Sequence, residues 1–179
     1  MGRPALIGLT TPGPAPVPFA LPPDSSTLIA QVLAHWDGMR PGPGLLPARR
    51  HFDPAALAGV APDALPHLWL LDIEPSPRRY RLRLIGTMLK VAGSPGRVGD
   101  YLDAVDLMGA AQRCLDEACR SRSPHYHRGP PALPHTGDVQ ELEVIYLPLA
   151  ADGSTADIIL ACTVYHWKPG REPISLVLG

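Results

Sequence analysis

The residues able to do chemistry fall into a few clusters. His125 and His127 lie two apart in Pro124-His125-Tyr126-His127-Arg128, with His135 a few residues on. Two imidazoles on one strand face could meet a metal. No cysteine or carboxylate stands at ligand spacing, so we expect solvated histidines and no metal site. Cys114 and Cys119 are five apart, which on a helix points them in different directions. They read as core thiols rather than a pair. Arg49-Arg50-His51 and the run from Arg78 to Arg83 could receive an anion, although solvated faces and surface ion pairs are the plainer expectation. Arg83 and Thr87 flank the Gly86 corner and read as structural polar residues. Arg83 is placed to tie its strand to a helix carboxylate such as Asp106.

Catalytic motifs are missing. There is no Gly-x-Ser-x-Gly, no His-Glu-x-x-His and no phosphate-binding glycine loop, since Gly93-Ser94-Pro95-Gly96 lacks a following Lys-Ser/Thr. No acid, base and nucleophile can be named together, so the chain is not expected to be an enzyme. A formal net charge of -1 supplies no field for nucleic acid or anionic membrane. The three cysteines fit a reduced, cytoplasmic setting. Neither a secretory signal nor an apolar run of the ~20 residues needed to cross a bilayer is evident.

These residues must be positioned by a chain of 179 residues, enough for one domain with extensions. Residues 1–23 hold seven of the 23 prolines and read as a flexible arm. Asp24-Ser25-Ser26 can cap a helix whose Leu28, Ile29, Val32, Leu33 and Trp36 form one apolar stripe. Pro41-Gly42-Pro43-Gly44 ends it, so this helix and its linker occupy 24–44. The stripe must be buried against its own sheet or a second subunit. We take it as a candidate interface of a homodimer or a complex with a regulatory partner. Asp53-Pro54 starts a short helix.

Strands are expected at 67–73 and 79–86, joined by Glu74-Pro75-Ser76-Pro77 as a hairpin. On the second strand, Tyr80, Leu82 and Leu84 are expected on one side and Arg81 and Arg83 on the other. One helical turn at 87–91 and a helix over 104–120 follow. A short strand lies at 124–128. Two strong strands at 141–149 and 157–165 close a hairpin through Ala151-Asp152-Gly153-Ser154. Hairpin connections predict an antiparallel sheet. The fold class is therefore α+β: a five-stranded antiparallel sheet with helices on one face, plus an N-terminal amphipathic helix. The domain spans 45–168, with 169–179 as a tail.

That element order is the PAS order, and five motifs add to it. They are His35-Trp36 with Leu46-Pro47-Ala48-Arg49, then Phe52-Asp53-Pro54, Arg83-Leu84-Ile85-Gly86-Thr87, Gly99-Asp100-Tyr101-Leu102 and Leu147-Pro148-Leu149-Ala150-Ala151-Asp152-Gly153. Over residues 25–167 the chain resembles a bacterial family of single-domain PAS proteins, the PAS_5 type. The resemblance implies a ligand held between sheet and central helices. Trp69, Leu71, Leu82, Leu84, Met88, Val105, Met108, Ile145 and Ile159 are the candidate lining. Those side chains would equally serve as plain core packing. Which cofactor or ligand is unknown. The helix at 104–120 has no histidine for haem, and Gln112-Arg113-Cys114-Leu115 lacks the Asn-Cys-Arg context of flavin photochemistry, so both are disfavoured. The expectation is a sensory or regulatory domain that binds a small apolar ligand or a protein and signals by association. The alternative is an interaction and dimerisation module whose core is filled by side chains.

Overall fold

The computed structural model describes residues 19–105, 109–131 and 137–173. Four α-helices are present among them: α1 (Thr27–Gly38), α2 (Pro54–Val60), α3 (Thr87–Val91) and α4 (Ala110–Ser121). The strands are β1 (Leu68–Pro75), β2 (Arg78–Ile85), β3 (His125–Gly129), β4 (Val139–Leu149) and β5 (Ile158–Trp167). They form one antiparallel sheet of five strands in the order β2-β1-β5-β4-β3. This is the expected α+β, PAS-like arrangement.

Local chemistry explains the helix starts. The Ser26 hydroxyl accepts the Leu28 N–H at 3.3 Å and caps α1. Asp53 caps α2 by accepting the Ala55 N–H at 2.9 Å, with Pro54 in the first turn. The long helix begins later than its apolar pattern suggests. Leu102–Ala104 is a single 3-10 turn, and Gly109 adopts φ 62° before α4. The left-handed glycine breaks the run that the side chains alone would continue. Leu107, Met108 and Asp106 lie outside the described residues.

The sheet has helices against both faces, each with its own core. On the first face α1 and α2 cover Leu68 and Leu70 of β1, Ile145, Leu147 and Leu149 of β4, and Ile158, Leu160 and Cys162 of β5. On the second, α3, the 3-10 turn and α4 cover Trp69, Leu71, Tyr80, Leu82, Val144, Tyr146, Ile159 and Ala161. A strand clothed on both sides reads as a continuous apolar run, as β4 does.

The apolar stripe of α1 is therefore a correction to the expected interface. Ile29, Val32 and Trp36 are buried in the first core, with Leu28 and Leu33 partly buried against it. The Trp36 indole N–H donates to the Pro148 carbonyl at 3.0 Å. The sheet satisfies the stripe, so no second subunit is needed to bury it. The arm is also shorter than expected. Phe19 and Leu21 pack on the same core, and the rest of the arm, 1–18, falls outside the described residues.

Two loops carrying the sequence motifs dock on each other. Leu46 N–H donates to the Gly153 carbonyl, and Ala150 N–H to the Pro47 carbonyl, both at 2.9 Å. The Leu-Pro-Ala-Arg segment thus runs along the β4–β5 turn. Gly86 has a separate cause. A Cβ there would lie 2.2 Å from the Pro66 carbonyl oxygen and 2.6 Å from that of Leu68, closer than any side chain allows.

Candidate functional site

The second face carries a cavity of about 70 Å³ between the sheet and α3–α4. Its floor is Trp69 of β1, Leu82 and Ile85 of β2, Leu142, Val144 and Tyr146 of β4, and Thr163 and Tyr165 of β5. Leu89, Leu102, Val105, Ala110, Ala111 and Cys114 form the roof, and His127 of β3 closes one side. The two alanines opening α4 leave the room that larger side chains would fill. A water needs roughly 10–15 Å³ of such space, so the cavity suits a few waters or one small organic molecule. It falls well short of the ~300–1,000 Å³ of drug-sized sites.

The wall is apolar with few polar groups. No Asp, Glu, Lys or Arg stands among the described lining residues. Trp69 and Tyr146 meet edge-on, their ring centroids 6.0 Å apart. The Trp69 indole N–H donates to the Thr163 hydroxyl at 3.1 Å. His67 Nδ1–H donates to the Thr163 carbonyl at 2.7 Å, and burial pulls the His67 pKa below its ordinary value. Burial likewise pushes the Tyr165 phenol up, so it stays protonated.

The structure sorts the expected lining residues into groups. Trp69, Leu82 and Val105 line the cavity. Leu71 and Ile159 are fully buried in the same core, and Met88 packs against it, without lining the space. Met108 is outside the described residues. Two expectations are corrected. Ile145 points into the opposite core beneath α1, one residue out of step with Val144 and Tyr146. Leu84 is 43% exposed. Its displacement comes from a bulge: Leu70 pairs with Leu84 but Leu71 pairs with Leu82, so Arg83 is an inserted residue. The alternation flips there, and Ile85 takes the inward place expected for Leu84.

The polar candidates are resolved by their partners. Arg83 reaches Asp72 on the neighbouring strand at 2.9 Å, so its tie is across β1–β2. Thr87 is exposed in the first turn of α3. Arg79 makes a two-pronged pair with Asp103 at 2.8 and 2.9 Å, with its guanidinium stacked 3.6 Å from the Tyr101 ring centre. Arg49 lies over Phe52, 5.3 Å from the ring centre. The arginine run is thus paired on the surface. Among the described residues no group of three histidines, cysteines or carboxylates is placed to hold a metal. Cys162 lies in the first core, where burial pushes its thiol up to about 12. Cys119 is near the Tyr80 hydroxyl, and burial raises its pKa too.

Sequence reasoning missed Thr163 and the β4 face made by Leu142, Val144 and Tyr146, and it read His127 as solvated where the structure puts it at the cavity's side. It also missed Glu143, which is 1% exposed on the other face. Its Oε2 accepts the Ser26 backbone N–H at 2.9 Å and the Tyr126 hydroxyl at 3.0 Å, and His166 Nε2 lies 2.7 Å from Oε1. Burial opposes the charge on Glu143, but these donors outweigh it and hold the pKa below the ordinary glutamate value. A charged residue inside an apolar strand, one turn of alternation from Ile145, was the available signal. It marks the face that receives the start of α1.

No helix among the described residues is long and apolar enough to cross a membrane. Comparison of the chain with protein-family models, curated proteins and solved structures returned no match.

Proposed function

We propose that the chain is a PAS-type sensory or regulatory domain that takes a small, largely apolar ligand between its sheet and α4. The observation that carries this reading is the cavity itself, a largely apolar space of about 70 Å³ walled by two helices and residues of all five strands. The five sequence motifs support the family assignment, and the strand order agrees with it. On this reading no bond is made or broken. The ligand acts by changing how α3 and α4 sit on the sheet, and the change passes to a partner by association. The apolar stripe of α1 is unavailable for that contact because it faces its own sheet.

Thermal denaturation with a panel of neutral single-ring compounds tests the reading. A ligand present at about 100 times its Kd adds roughly 2.7 kcal/mol of stability, a clear rise in Tm. Ala111→Phe, which fills the cavity from α4, is expected to abolish that rise. A panel without any shift, or a shift that survives Ala111→Phe, overturns the proposal.

A further inference from the structure

Thr163 is a buried polar group of the cavity wall whose hydroxyl is incompletely hydrogen-bonded. It is 3% exposed and lines the cavity from β5. A threonine hydroxyl has one proton to donate and two lone pairs to accept with. One lone pair takes the Trp69 indole N–H at 3.1 Å. The Thr163 carbonyl is held separately by His67 at 2.7 Å, so backbone and side chain are both fixed. The hydroxyl proton has no acceptor among the described residues. Buried donors rarely stay unmet, and the indole on one side leaves the proton the cavity on the other.

From this geometry, and resting on the ligand reading above, we infer the chemical class of the guest. It is a small neutral molecule with one hydrogen-bond acceptor, a carbonyl or ether oxygen on an otherwise apolar ring, received by the Thr163 hydroxyl. The wall disfavours charge, since a buried ion needs a counter-charge and the described lining offers no Asp, Glu, Lys or Arg, with His127 at one side as its basic group. A single ring is the size that the space admits. Trp69 acts as the positioning residue, holding the hydroxyl in one orientation.

The test uses cyclohexanone and methylenecyclohexane, which share a shape and differ by C=O against C=CH2. Each is titrated into the protein and followed by methyl chemical shifts. Their different hydration cancels when the affinity ratio is compared between variants. We expect the ketone-to-alkene ratio to fall about tenfold in Thr163→Val, the worth of a hydrogen bond of ordinary strength. Thr163→Ser should retain the wild-type ratio. The same comparison in the Trp69→Phe background removes the indole N–H as a substitute donor. If Thr163→Val does not fold, Thr163→Ala, which introduces no new bulk, replaces it. An unchanged ratio overturns the inference while alkene binding keeps the ligand reading standing. Failure of both molecules to bind the wild type overturns both.

Discussion

At the scale of the residue, Glu143 joins three elements through one carboxylate. It receives the first backbone N–H of the α1 cap, the Tyr126 hydroxyl of β3 and His166 of β5. Glu143→Ala would take the shared acceptor away from three partly buried donors. We expect a loss of about 3 kcal/mol, on the scale measured when a buried charged partner is removed. Chemical denaturation gives the loss, and hydrogen exchange should speed most at residues 26–30. The pH dependence has a definite sign. The folded pKa of Glu143 is depressed, so its contribution is complete above the unfolded value near 4.3 and is lost as pH falls through the lower folded value. Stability of Glu143→Gln should therefore fall less steeply with acid than that of the wild type. Equal acid limbs would show that the carboxylate is not depressed by its donors.

At the scale of the element, the helix starts were legible because their signals are local. Ser26 and Asp53 cap their helices by bonds within three residues. The hairpins were legible for the same reason. Which way each strand faces was not. Alternation identifies a core face only where the other face is wet, and β4 and β5 are buried on both. The Leu84 expectation failed for a second reason, because a bulge at Arg83 is set by pairing with β1 rather than by the β2 sequence. The cavity was legible only in outline. Trp69, Leu82 and Val105 follow from what the resemblance implies, while Thr163 acquires meaning through its bond to Trp69, 94 residues away in sequence.

Two substitutions test how elements are joined. Gly86→Ala would drive a methyl group into two backbone carbonyls that cannot turn aside. We expect destabilisation of at least 2 kcal/mol by urea denaturation, the range for backbone-level strain. Near-wild-type stability would mean that the corner between β2 and α3 is looser than its geometry. Trp36→Ala removes a fully buried indole and its bond to Pro148. A loss of about 3–5 kcal/mol is expected, with the oligomeric state of the folded fraction in sizing experiments unchanged. A clean conversion of dimer to stable monomer would restore the stripe as an interface.

At the scale of the whole molecule, two cores share one sheet. The first is completed by the N-terminal helices and contains no described part of the cavity wall; the second contains the cavity and the helix with the small residues Ala110, Ala111 and Ala118. The motifs that carry the PAS resemblance fall largely on the first: Trp36, the loop at 46–49, Phe52 and the turn at 147–153 surround it. They describe how the fold is closed on that side. The cavity lies on the other side, away from those joints. This division explains why those motifs informed the architecture more than the cavity.

The placement of β5 has a consequence for the order in which the chain can be assembled. It sits in the middle of the sheet, between β1 and β4, although it is the last of the described strands in chain order. Until it emerges, the β1–β2 hairpin has no neighbour, and α1 has only part of the surface that covers Ile29, Val32 and Trp36. The nascent chain therefore carries a partly uncovered apolar helix and an open hairpin edge until β5 emerges. Closing them requires contacts across some 90 residues, the kind of pairing that folds slowly and invites capture by other chains. Arrest of translation before Ile158 leaves a sticky fragment rather than a smaller domain.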